Sequence, residues 1–81
     1  MNTLNYPSIS RQQWQQLTQM IESKFAIVID SEQGQAKSNG FRFSWAYNSQ
    51  QQALELICNE KPIFVPYTLI KHQVDSLVSQ L

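Results

Sequence analysis

The chain has one cysteine, one histidine, two glycines and no surplus of either charge: six Lys+Arg stand against six Asp+Glu in 81 residues. Each shortage excludes something. A single thiol cannot close an intramolecular disulfide, so this is no disulfide-stapled scaffold. One Cys and one His, fourteen positions apart at Cys58 and His72, fall short of the ligand clusters of structural zinc. Two separated glycines, Gly34 and Gly40, cannot form a glycine-rich phosphate loop. A net charge of zero removes most of the phosphate attraction that drives nonspecific nucleic-acid binding. No apolar run approaches the roughly 18–20 residues that cross a bilayer. The segment Met1–Ser10 lacks a basic start followed by an apolar stretch, so no signal peptide is expected. The expected setting is cytoplasmic, with no membrane association.

What is present suits one small globular domain over residues 1–81, with residues 1–8 expected to be a tail. Hydrophobic residues make up 42% and charged residues only 15%, the opposite of a disordered composition. Twelve glutamines, twice the number of either charge sign, make the surface polar without making it charged.

A helix is expected from about Arg11 to Phe25. Ser10 and Gln13 have capping-box spacing, and Ile9 with Trp14 fits a hydrophobic staple. At 100° per residue Trp14, Leu17, Ile21 and Phe25 form one apolar stripe, with Gln12, Gln15, Gln16 and Gln19 opposite. Ala26–Asp30 is short and β-branched and reads as a strand. Residues 31–40 allow two readings. One is a loop. The other, preferred, is a strand extension that turns near Gly34 and is re-phased by a bulge at Asn39–Gly40, which brings Ala36 to the face of Phe41.

Phe41–Tyr47 alternates without a fault: Phe41, Phe43, Trp45 and Tyr47 on one face, Arg42, Ser44 and Ala46 on the other. Ala53–Asn59 follows, with Leu54, Leu56 and Cys58 facing one way and Glu55, Ile57 and Asn59 the other. A four-residue loop, Ser49–Gln52, pairs Tyr47 with Leu54, Trp45 with Leu56 and Phe43 with Cys58, which puts both apolar faces on one side. Ile63–Val65, between Pro62 and Pro66, is expected as a short edge strand. A last helix runs from Tyr67 or Thr68, with Tyr67, Ile70, Val74, Leu77, Val78 and Leu81 as its stripe and His72, Asp75 and Ser79 facing away. The expected fold is an α+β two-layer sandwich in the order helix–β–β–β(–short β)–helix, its antiparallel sheet covered on one face by both helices.

The segments Gly40–Trp45 and Lys61–Pro66 match no motif of known activity. In element order alone the chain is similar to small bacterial domains such as proteins of the polyhydroxyalkanoate-granule system. No motif residue is shared, and the likeness implies no function.

No catalytic residue, cofactor or metal is assigned. Cys58 is expected buried and inert, and His72 solvated, so the two do not form a nucleophile pair. His72 and Asp75 could touch on their helix, but no nucleophile elbow accompanies them. Glu55 and Glu60 have opposite strand parity and form no matched acid pair. The remaining surface is the open sheet face of Arg42, Ser44, Ala46, Glu55, Ile57 and Asn59, flat and weakly charged. It points to a non-enzymatic module acting through protein–protein contact, as a homodimer or with another protein. Two alternatives are single-stranded nucleic-acid binding through exposed strand aromatics and a small-ligand site near residues 30–40.

Overall fold

A computed structural model of the chain describes residues 3–81. In chain order it holds β1 (Thr3–Tyr6), α1 (Arg11–Phe25), β2 (Gln33–Ser38), β3 (Phe41–Asn48), β4 (Ala53–Glu60) and α2 (Tyr67–Ser79). The strands form one antiparallel sheet in the order β1-β4-β3-β2. A single core joins Phe43, Trp45, Tyr47, Leu54 and Leu56 of the sheet to Trp14, Leu17, Ile21 and Phe25 of α1 and to Ile70 and Val74 of α2. Both helical stripes therefore cover the same sheet face, and the class is α+β.

Local chemistry explains the well-patterned parts. The Ser10 hydroxyl accepts from the Gln13 N–H at 3.2 Å and the Gln13 side-chain carbonyl accepts from the Ser10 N–H at 3.0 Å, so the capping box closes in both directions. The β3–β4 register pairs Tyr47 with Leu54, Trp45 with Leu56 and Phe43 with Cys58. In the turn between them the Asn48 side-chain oxygen accepts from the Gln50 and Gln51 N–H groups at 3.0 and 3.1 Å, an Asx device that fixes loop length and hence register. Trp14 stacks on Tyr47 with ring centroids 5.0 Å apart, and the buried Tyr47 hydroxyl donates to the Ile9 carbonyl at 2.6 Å.

Four expectations are corrected. Residues 3–6 are not tail but strand β1, paired with β4 through Leu4↔Leu56 and Tyr6↔Leu54. The observed order thus places one strand ahead of the expected helix–β–β–β–helix run, which α1, β2, β3, β4 and α2 supply. Ala26–Asp30 is not a strand: Ala26 caps α1 in the left-handed region at φ 58°. Beyond it Ile27 is buried, Val28 exposed and Ile29 half-buried, so this run plugs the core without joining a ladder. Ile63–Val65 is a tight turn, closed by the Val65 N–H donating to the Pro62 carbonyl at 3.0 Å. Asn39–Gly40 is a two-residue hairpin turn, not a bulge: both residues have positive φ, 54° and 84°, as the twist-matched hairpin turns require. Ala36 does lie opposite Phe43, but by hairpin pairing. Gly40 is further constrained because a Cβ there would meet Pro62 Cγ at 3.2 Å.

β1 is tied to α2 as well as to β4. The Tyr6 hydroxyl donates to Asp75 Oδ1 at 2.6 Å, and Lys71 Nζ donates to Asp75 Oδ2 at 2.8 Å. Asp75, expected to face away, is therefore half-buried and doubly bonded. These bonds, Lys71's first and Tyr6's second, hold the carboxyl below its ordinary range. Burial, reinforced by the bond to Asp75, pushes the Tyr6 phenol up. The signs follow. The lowered carboxyl contributes stability above the unfolded value of about 4 and loses it as pH falls through the folded value. The raised phenol contributes stability below about pH 10 and loses it as pH rises. Tyr6→Phe is expected to cost about 1–2 kcal/mol at pH 7 and to flatten both limbs of the stability–pH curve. Urea titrations between pH 3 and pH 11 check this; unchanged limbs in the variant contradict it.

Candidate functional site

All six residues expected on the open sheet face are there. Ser44 lies opposite Ile57 and Ala46 opposite Glu55. Arg42, Ser44, Ala46 and Ile57 are half-buried, while Glu55 and Asn59 are exposed. β2 extends this face with Gln33, Gln35 and Lys37, opposite Ala46, Ser44 and Arg42; β1 extends it with Thr3 and Asn5, opposite Ile57 and Glu55. A shallow hollow of about 370 Å³ between Gln33, Gln35, Ser44, Ala46, Glu55 and Ile57 occupies its middle.

One end of this face is already self-satisfied. A bulge at Arg42/Phe43 shifts the β3–β4 pairing by one residue, so that Arg42 faces Glu60. Glu60 receives Arg42 at 3.2 Å and Lys37 at 3.7 Å, Arg42 also donates to the Gln35 side chain at 3.3 Å, and the Ser44 hydroxyl donates to the Asn59 side-chain oxygen at 2.6 Å. The bulge thus corrects the parity assigned to Glu60: it swings round to Arg42's side, the side that Glu55 also occupies. These exposed pairs contribute little to stability, but they leave few free donors or charges at that end.

The least satisfied part of the surface is apolar. Ile63 is 96% and Phe64 83% exposed, and Leu69 in the first turns of α2 is 45% exposed. Pro62 and Pro66 bracket the turn that carries the pair. Proline fixes φ at both positions, and Pro62 packs close to Gly40 of the β2–β3 hairpin. The side chains are held out on a stiff mount. Reading Ile63–Val65 as a strand obscured this. The signal available in the sequence was the proline bracket around only three residues, which suits a turn as well as an edge strand.

The groups with chemical potential point elsewhere. Cys58 is buried, with its thiol directed at the Glu60 carbonyl at 3.4 Å, and burial pushes its pKa up. His72 is exposed on α2, and Asp75 is committed to Lys71 and Tyr6. Of Phe41, Phe43, Trp45 and Tyr47, the stacking platform of the nucleic-acid alternative, Phe41 is half-buried and the other three are 1–5% exposed. Near residues 30–40, a shallow groove of about 260 Å³ runs between α1 and Ile29–Glu32, spanned by an Arg11–Glu32 pair at 3.3 Å. Among the described residues no group of three or more His, Cys, Asp or Glu side chains could hold a metal ion, and no helix is long and apolar enough to cross a membrane.

No family model matches the chain, and no curated protein or solved structure matches it either. The fold class is therefore carried by the geometry alone.

Proposed function

We propose that this chain is a non-enzymatic binding module that works through protein–protein contact, with the Ile63–Phe64 turn as its anchor and the open sheet face as a polar flank. The exposure of Ile63 and Phe64 carries the reading. Two large apolar side chains in water forgo about 1.5–3 kcal/mol each of burial free energy. Buried aromatic anchors surrounded by polar rims are the usual energetic centre of protein contacts. The near-neutral, glutamine-rich surface exerts little long-range pull on phosphate backbones. A lone buried thiol suits a reducing compartment, so the proposal places the module in the cytoplasm.

Installing a photo-crosslinking amino acid at Phe64 tests this in cells. The expected product is a discrete protein adduct that is absent when the same group is placed at Gln12 on the outer face of α1. Ile63→Ser with Phe64→Ser should weaken capture of that partner by about thirtyfold or more while shifting stability by no more than about 0.5 kcal/mol. Crosslinking to nucleic acid alone, or to nothing, overturns the proposal.

A further inference from the structure

β2 ends the strand order, and its residues are exposed or half-buried throughout. The direction of its backbone groups follows from the hairpin. A two-residue turn makes the closing pair Ser38–Phe41 a hydrogen-bonded one. The Tyr47 N–H donates to the Glu32 carbonyl at 2.7 Å, which confirms that the even-numbered positions of this segment address β3. Gln33, Gln35 and Lys37 therefore turn their N–H and C=O groups outward. One of these carbonyls, that of Gln33, already draws a donor: the Ser31 hydroxyl bonds to it at 3.0 Å.

We infer that this edge pairs with the same edge of a second copy, antiparallel about a two-fold axis at Gln35, so that the two sheets become one continuous sheet. The inference uses a different surface from the Ile63–Phe64 turn and stands apart from it. The strand is self-complementary in this register. Gln35 faces Gln35 of the other copy, and Gln33 faces Lys37, each pair exchanging two backbone hydrogen bonds. The strand's only charge meets a neutral amide and not its own image, so the like-charge clash that protects many edges is absent. The intervening positions, Gly34 opposite Ala36, are the narrow pairs where Cα atoms approach to about 4.5 Å, and both are small. Gly34 is small for a reason within one copy as well: a Cβ there would meet the Trp45 ring at 3.2 Å. Zero net charge leaves no long-range repulsion between copies. The β1 edge suits pairing less, since Pro7 follows Tyr6 at once and interrupts the edge there.

Sedimentation of the full chain over a concentration series tests the inference. The expected result is a mass that climbs from one copy to two. Gln35→Pro should hold it at one copy while circular dichroism stays native. Proline removes an N–H that the hairpin does not use, and edge strands tolerate it. Two further variants read the register without any backbone change. Gln33→Glu sets a carboxylate against Lys37 of the other copy twice over, and should tighten the dimer about two- to thirtyfold. Gln35→Lys sets two ammonium groups face to face across the axis and should loosen it. A monomer at every concentration overturns the inference. So does a dimer insensitive to all three variants, and so does a dimer lost only in the Ile63→Ser, Phe64→Ser protein, a result that would leave the protein-contact reading intact.

Discussion

Phe43→Ala is expected to cost about 3–5 kcal/mol, a large share of what holds a chain this size together. At roughly 0.05–0.15 kcal/mol per residue, total stability comes to about 4–12 kcal/mol. Phe43 is 1% exposed and lies where every layer meets. Its ring is 5.3 Å from Phe25 of α1 and 6.2 Å from Phe41, and its cross-strand neighbours are Cys58 on β4 and Ala36 on β2. Truncation removes the ring from the joint between α1 and the sheet, and a joint closed from both sides relaxes only partly around the void. Urea unfolding should show the midpoint falling sharply, or a protein already unfolded in buffer. The same variant separates two views of the aromatic strand. A solvent-exposed base-stacking platform would lose its ring with little change in stability, within about 0.5 kcal/mol.

What could be read from the sequence was whatever repeats with a period. β3 and β4 alternate so regularly that one loop length fits both apolar faces, and the Asn48 turn supplies that length. The stripes and capping box of α1 are equally plain, because each is a relation between residues three or four apart. The failures share a different cause. Ile27–Ile29 and Ile63–Val65 have strand-like side chains, but a strand is defined by a partner, and local composition does not say where the partner is. The ladder at the far side of β4 goes to Thr3–Tyr6 instead, a segment whose only local clue is Leu4 and Tyr6 two apart. The bulge at Arg42/Phe43 has no side-chain signature, so the cluster of Glu60 with Arg42 and Lys37 was invisible to parity. The open face could be placed residue by residue because it is the complement of the core. The apolar turn could not, because its exposure depends on the strand that fails to form there.

Leu4→Ala makes the sharpest distinction between strand and tail. In a tail, truncating leucine changes stability by no more than about 0.5 kcal/mol. In β1, Leu4 is 5% exposed and lies directly opposite Leu56. The expected loss is about 2–4 kcal/mol, second only to that of Phe43. Asn5→Ala is the matched comparison: Asn5 sits on the same strand but on the open face, exposed and opposite Glu55, so its loss should stay near zero. A strong effect at Leu4 with none at Asn5 is the period-two signature of a paired strand, and equal effects at both would contradict it. The pair also bears on assembly. While β1 is in place, β4 is an interior strand and β2 offers a free edge. If Leu4→Ala frees β1, the outer groups of β4 become a second edge, one with Leu54 and Leu56 on its core face, and such an apolar edge aggregates. Loss of solubility accompanying the loss of stability in Leu4→Ala is therefore the expected result. Soluble, reversible unfolding at the wild-type midpoint would show that the segment before Ser10 contributes nothing to the sheet.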